Sequence, residues 1–550
     1  MHNQQAIAFK ETGWGCAKEE RMQAKQETAK TTSTQSTTGI KRTLNLTSLT
    51  VNAMALIAPG AFLWTTFQLQ SAQMNGAVST AGEMWTGLVA ALVLAFLTAI
   101  SYAELSDIYP KAGSGSSYYF AEAALLEKEK AHHRQYSRIA KFGVGWISHL
   151  YYWIYPGIMV AFSATLIVYI FGLFGVALNV PEEIAVAAIF AIINGYIAFR
   201  GVTGSTITSV AINAIQLVSL MLFSILAIIY RVAHPGLAYA ATVPSILLPH
   251  NFSNVIFQST IAILLLVGFE SVTAFGSEAI NPKKDIRKAI LLSLIIQGVF
   301  AYLFEYFAAN YFVSTQLATT TASGAAVTGY AAAGASGAPI GDMIRLIGDK
   351  MLGGTGLALV LVMAFTVVLA LIGTTLACLN TGVRITYAMS KDKELPSIFG
   401  LLHGRFATPQ WGIWVLVAVS AAFGAYGVLN VDNLTQITLA SNTGTFLVYG
   451  ITNLICLVAF WSRPGANLFK HKVVPLLGFL ANLMMLIGIV TLSFKAGGST
   501  SRDTILALGM VLVWLAVGIV WFVLNTKNQG HQVLVKSKAQ LTKEELNSPD

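Results

Sequence analysis

At 550 residues with 55% hydrophobic and only 11% charged side chains, the chain cannot be an ordinary soluble protein. A net charge of +9 would suit a nucleic-acid binder, but 29 of the 34 Lys and Arg fall in alternate loops and tails, so the charge follows membrane topology instead. The three cysteines, Cys16, Cys378 and Cys456, offer neither a disulfide framework nor a metal-ligand spacing.

Residues 1–45 are polar, with a Thr/Ser/Gln run at 31–38, and lack the early apolar core of a secretory signal. They are expected to form a disordered cytoplasmic tail. Twelve apolar runs then follow: 46–69, 82–106, 143–175, 182–200, 205–231, 252–278, 286–312, 356–388, 409–428, 432–460, 472–492 and 502–524. Each is long enough to span a bilayer core. The runs 143–175 and 356–388 exceed a perpendicular crossing, which predicts tilt.

Span 1 is interrupted at Ile57-Ala58-Pro59-Gly60-Ala61. Span 6 is interrupted at Leu265-Leu266-Val267-Gly268. Pro59 cannot donate a backbone hydrogen bond, and glycine favours unwinding. Unwound backbone at membrane depth is tolerated only inside protein or along a cavity. Paired interruptions in two halves of a chain point to a transporter binding site, although either one alone also fits a simple kink. The expected substrate site is therefore Ala58, Pro59, Gly60 and Ala61 with Leu265, Leu266, Val267 and Gly268, and Gly60 and Gly268 are expected to line its cavity.

The breaks open two groups of five spans, 46–231 and 252–461. An odd number of spans inverts the second group, which predicts a five-plus-five inverted repeat with two appended helices at 472–524. With the amino terminus inside, the outer face keeps only Arg231, Arg345, Lys350, Lys495 and Arg502. That bias places both termini, including the tail 525–550, in the cytoplasm. Between spans 2 and 3, residues 107–142 read as a short amphipathic helix at the interface. Outside, Pro339 to Leu352 reads as a short helix, either a lid or a surface loop.

Four stretches in order give the chain a family likeness. They are the span 1 break followed by Phe62; Tyr109-Pro110-Lys111-Ala112-Gly113-Ser114 with Tyr118-Tyr119; Gly268-Phe269-Glu270 continuing to Ser277-Glu278-Ala279-Ile280-Asn281-Pro282; and Arg384-Ile385-Thr386-Tyr387-Ala388-Met389-Ser390-Lys391-Asp392 before Leu395-Pro396. Together they resemble the amino acid–polyamine–organocation superfamily of transporters. The resemblance implies an all-α integral membrane fold of twelve helices, with helices 1 and 6 unwound. It also implies that backbone N–H groups of the first break hold a substrate carboxylate. Pro59 removes one such donor and leaves those of Ala58, Gly60 and Ala61. Gln216 stands where several proton-coupled members carry a lysine, and an amide cannot titrate. Leu264 and Leu266 replace frequent aromatic residues, which predicts an aliphatic wall.

Glu270 lies within an apolar run just after the second break, and intramembrane carboxylates are functional hypotheses by default. It is a candidate proton carrier or gate, or else a hydrogen-bonded packing group. Glu278 reads as one half of a structural ion pair. Glu305 has no basic neighbour in sequence. Thr374 and Thr375 lie on the helix that faces helix 1 in this fold. They could complete a sodium site, or bond their own helix carbonyls. His149, Tyr152 and Tyr155 share one helical face.

These residues predict a secondary transporter of small neutral amino acids or related amines, working by alternating access in the inner (plasma) membrane. A polyamine or cationic amino acid carrier or exchanger is the alternative, and a transporter-like sensor is the rival of another class. H+ or Na+ could drive it, and no cofactor or nucleic-acid partner is expected. His-Glu-x-x-His, Gly-x-Ser-x-Gly and a phosphate-loop Gly-Lys pair are all missing from the sequence, which argues against an enzyme.

Overall fold

The computed structural model describes residues 43–57, 61–110, 116–128, 135–201, 206–276, 278–321 and 323–529. Among them, eleven helical stretches are long and apolar enough to cross a bilayer, so the chain is a multi-pass, all-helical membrane protein. The helices are α1 (Leu46–Ile57), α2 (Ala61–Ser71), α3 (Met84–Ile108), α4 (Ser117–Leu126), α5 (Gln135–Leu173), α6 (Val180–Phe199), α7 (Thr206–Ala233) and α8 (Phe252–Ala262). They continue with α9 (Pro282–Ser293), α10 (Leu303–Phe312), α11 (Gly329–Ala335), α12 (Pro339–Met351), α13 (Gly356–Lys391), α14 (Gln410–Val428), α15 (Val431–Phe460), α16 (Val474–Lys495) and α17 (Gly498–Gln529). Two small antiparallel hairpins, at 74–79 and 318–328, decorate the loops.

The lipid-facing helices follow from composition. On α7, Val218, Leu222, Ile225 and Ile229 recur at helical spacing and are all exposed. In water such a stripe would be a liability, whereas in lipid it is the expected outer face. Burial sorts the remaining helices. An 18-residue apolar window within Phe252–Phe275 is 94% buried, against 17% for one within Gly498–Thr526. The sixth run is therefore central, and the last appended helix is peripheral.

Local chemistry sets the helix ends. Asn179 and Glu182 form a reciprocal capping box at the start of α6. Asn430 Oδ1 accepts from the Asn433 N–H, 2.8 Å away, at the start of α15. The long α5, about 58 Å at 1.5 Å per residue, carries Pro156 in its interior. Pro156 leaves the Tyr152 carbonyl without its usual helical donor. Small residues bring α5 and α14 together: a Cβ on Gly424 would lie 2.3 Å from Val160 Cγ1.

Two sequence expectations take a different form. Part of 107–142 is α4, and its Tyr118, Phe120, Ala121 and Ala124 are buried in protein. Aromatic side chains that could have entered the headgroup layer found a protein groove instead. The first apolar run is present as α1 and α2, neither long enough to cross alone. Ala58, Pro59 and Gly60, the tail 1–42 and residues 530–550 lie outside the described residues.

A candidate substrate and coupling site at two helix ends

The last four carbonyls of any α-helix lack a partner within the helix. In α1 these are Met54, Ala55, Leu56 and Ile57, and each is met by a side chain from a different part of the chain. Gln297 Nε2 donates to Met54 O at 2.8 Å, and the Thr374 hydroxyl donates to Ala55 O at 2.9 Å. The Tyr302 hydroxyl donates to Ile57 O at 2.7 Å. The Tyr155 hydroxyl sits between Leu56 O at 3.5 Å and Leu264 O at 3.4 Å, one carbonyl from each side of the site.

Gln297 and Tyr302 are five residues apart, which in an α-helix would point them about 140° away from each other. Leu294–Tyr302, between α9 and α10, is a π-helix. Its wider i→i+5 winding returns both residues toward one face. The same segment lets Gln297 Nε2 reach Asn213 Oδ1 on α7 at 3.3 Å. Gln216, one turn further along α7, is buried, and its Oε1 has no hydrogen-bond partner among the described residues.

The second helix end is organised by its own residues. After α8 the chain makes a 3-10 turn at Ile263–Leu265, passes Gly268 at φ +126°, and resumes as a 3-10 helix over Phe269–Phe275. Only glycine accepts that φ without strain. The Gly268 N–H donates to Glu270 Oε2 at 3.0 Å. Gly268 O accepts from the Ser271 hydroxyl at 2.6 Å and from the Ser271 N–H at 3.1 Å. The two ends touch, because a Cβ on Gly268 would stand 2.6 Å from Leu56 Cβ. Leu264, Leu265, Leu266 and Val267 are fully buried around this contact.

Glu270 is the chemical centre. Besides the Gly268 N–H, its carboxylate accepts from Tyr151 at 3.1 Å, Tyr152 at 3.2 Å and Tyr449 at 2.7 Å. Four donors therefore surround one buried carboxyl, and none of them is a Lys or Arg. A cavity adjoins it, walled by Tyr102, Ser117, Tyr151, Tyr152, Ile385 and Tyr449 among others. Sequence spacing placed Tyr152 and Tyr155 on one face of α5. It held no sign that Tyr449, 179 residues beyond Glu270, joins them.

Each remaining candidate has a definite place. Thr375 bonds Leu371 O of its own helix at 2.6 Å, while Thr374 meets both Ala370 O and Ala55 O. Glu278 pairs with Arg384 at 2.9 Å. His149 bonds Gly145 O and Thr386 within the packed interior. Glu305 is fully buried, and neither of its carboxyl oxygens has a hydrogen-bond partner among the described residues. Among the described residues no group of His, Cys, Asp or Glu could hold a metal ion.

Comparison with known proteins gives a consistent picture. Residues 42–517 match the model of a family described as amino acid permease. The branched-chain amino acid permease BcaP of Bacillus subtilis is 23% identical over 504 residues, covering 89% of this chain and 94% of that protein. The low-affinity putrescine importer PlaP of Escherichia coli K12 is 23% identical over 500 residues, with the same 89% and 94% coverage. A methylthioribose transporter of Bacillus subtilis is 23% identical over 467 residues, 80% of this chain and 87% of that protein.

Proposed function

We propose that this chain, which belongs to the amino acid permease family and is a transporter of the amino acid–polyamine–organocation superfamily, carries small neutral amino acids by alternating access and couples them to protons through Glu270. In this reading α1 and α2 form one crossing, completing twelve. The spans within 46–231 and 252–461 form the two inverted repeats, the spans within 472–524 are appended to them, and both termini face the cytoplasm of an inner (plasma) membrane.

The observation that carries the proposal is the Glu270 cluster. A buried carboxyl with four neutral donors and no cation can hold or release a proton without dismantling an ion pair. The substrate carboxylate would be held by N–H groups of Ala58, Gly60 and Ala61. The side chain would rest on the wall from Leu264 to Val267, with Gly268 at its edge. Apolar walls with few fixed polar groups bind by shape. A methylene is worth about 0.8 kcal/mol, so neighbouring aliphatic substrates should be separated by only a few-fold.

A second reading also has an observation behind it. Among the described residues Glu270 has no cationic partner, and it lies among tyrosine rings, a setting that suits an ammonium group. The relatives named for a branched-chain amino acid and for putrescine divide in the same way. A sodium-driven cycle would use Thr374 Oγ1 and Ala55 O, which already converge at 2.9 Å.

One proteoliposome experiment separates these readings. Uptake of labelled leucine is competed with alanine, valine, arginine and putrescine, in sodium and in choline buffers, for wild type and Glu270→Gln. Competition by alanine and valine, indifference to sodium, and a pH profile flattened by Glu270→Gln are expected. If arginine or putrescine competes best, Glu270 is a substrate-binding group and the neutral-substrate proposal fails. An unchanged pH profile in the variant assigns Glu270 to structure.

A further inference from the structure

Beyond the substrate site, a second cluster of ionisable groups ties α4 to the end of α13 on the face that carries most of the basic residues. The long α13 stops at Lys391 because Lys393 adopts a left-handed conformation, φ +61°. The Glu394 N–H then turns back to Met389 O at 2.8 Å. This reversal presents Asp392 and Glu394 to the same hydroxyl. Tyr118 OH lies 2.9 Å from Asp392 Oδ2 and 2.8 Å from Glu394 Oε2.

A phenol hydroxyl has one proton to give. Two carboxylates at hydrogen-bond distance would have to share that proton in a bifurcated bond while standing beside each other's charge, so a proton on one of the acids relieves both the donor shortage and the repulsion. Asp392 is already matched by Lys141 Nζ at 2.8 Å, and Lys141 also pairs with Glu122 at 2.7 Å. Glu394, 8% exposed and without an ion pair of its own among the described residues, is the better placed of the two acids to take that proton. The residue beside Tyr118 connects this cluster to the substrate cavity. Ser117 lines that cavity and bonds Tyr102 at 2.6 Å and Thr452 at 2.9 Å.

We propose that Tyr118, Asp392 and a protonated Glu394 form a latch that holds α4 against α13 and closes the Glu270 cavity on this face, and that loss of the Glu394 proton releases it. Burial, helped by the Asp392 and Glu122 charges and working against the opposing pulls of Lys141 and of the Tyr118 hydrogen bond, pushes the Glu394 carboxyl up to about 8. The charged and titratable groups around it are Tyr118, Tyr119 and Glu122 on α4, Arg138 and Lys141 on α5, and Asp392 beside it. From α17, Trp521 Nε1 contributes a neutral bond to Glu394 O.

The sign follows from linkage. An opened latch exposes Glu394 with an ordinary value of about 4.3, whereas the closed latch holds it near 8. Closing therefore takes up a proton between these limits. The opening constant should rise up to about tenfold per pH unit from pH 5 to 8 and level off above 8. This device operates whatever the transporter carries, so it can fail without the substrate assignment failing.

The test is amide hydrogen exchange of wild type in lipid nanodiscs from pH 5 to 9.5, read as protection factors after correction for intrinsic rates. Protection of 117–126 should fall steeply up to pH 8 and then level, while 180–199 on α6 stays constant. Glu394→Gln, which keeps a donor without a charge, should hold 117–126 protected throughout. Constant wild-type protection across pH 5 to 8 overturns the latch even if the variant does not fold. So does a Gln variant that folds and keeps the wild-type pH course.

Discussion

The two helix ends at the centre of this molecule solve one problem in opposite ways. The last four carbonyls of α1 are met by side-chain donors from α5, α13 and the π segment before α10. The Gly268 turn is satisfied locally, by Glu270 and Ser271 two and three residues further on. The first end is thus fastened to the surrounding helices, and its state depends on where they stand. The second is capped at Gly268 by its own residues, while Tyr155 and Asn442 reach only the Leu264 and Thr260 carbonyls before the turn. In alternating access a site must change its surroundings without losing its backbone hydrogen bonds. One externally held end against one self-held end is a physical way to do that.

The contact between the two ends is the place to break the comparison most severely. Gly268→Ala would force a side chain to φ +126° and drive its Cβ to 2.6 Å from Leu56 Cβ. Strain and overpacking together should cost on the order of 2–6 kcal/mol. The expected result is poor recovery of folded protein and a sharply lowered melting temperature in detergent. A Gly268→Ala protein that melts like wild type would show that the ends do not meet as described.

Tyr302→Phe attacks only the externally held end. It removes the donor from Ile57 O and leaves a buried carbonyl unpaired, an outcome worth about 1–3 kcal/mol in protein interiors. Interhelical bonds in lipid average nearer 0.6 kcal/mol, so a loss of about 1 kcal/mol is expected. Because α1 would keep only the Gln297 tie to the π segment, the proposed equilibrium between inward and outward states should also shift. Cysteine accessibility along α1 would report that shift. A stability loss with unchanged accessibility would reduce Tyr302 to ordinary packing.

Much of this arrangement was legible in the sequence, and the illegible part has a single cause. The runs 356–388 and 432–460 reappear as Gly356–Lys391 and Val431–Phe460, because span length is set by bilayer thickness and written in composition. An interruption at Leu265–Gly268 was expected because it paired with one in the first half, and there the chain leaves α8 through a 3-10 turn and a glycine at φ +126°. The Glu278–Arg384 pair was half legible, in that Glu278 read as an ion-pair residue with its partner unnamed. The donors to α1 were not legible. Gln297 and Tyr302 share a face only because Leu294–Tyr302 is wound as a π-helix, and nothing in that apolar stretch announces the extra residue per turn. Tyr449 and the pairing of Tyr118 with Glu394 depend on tertiary neighbours more than 170 residues away. Periodicity records a face but never its partner.

The smallest effect should come from the self-capped end. Ser271→Ala deletes the hydroxyl that donates to Gly268 O at 2.6 Å, but the Ser271 N–H still donates to the same carbonyl at 3.1 Å. No buried acceptor is left unpaired, so the desolvation penalty that dominates such deletions does not arise. A cost of about 0.5 kcal/mol or less is expected, below that of Tyr302→Phe, although both substitutions remove one hydroxyl from one carbonyl. Melting temperatures of the two variants and their double mutant, measured in one detergent, decide the matter. Additivity is expected if the two ends are capped independently. If Ser271→Ala costs as much as Tyr302→Phe, the backbone bond at Gly268 is not a sufficient cap, and the contrast between a fastened end and a self-held end fails.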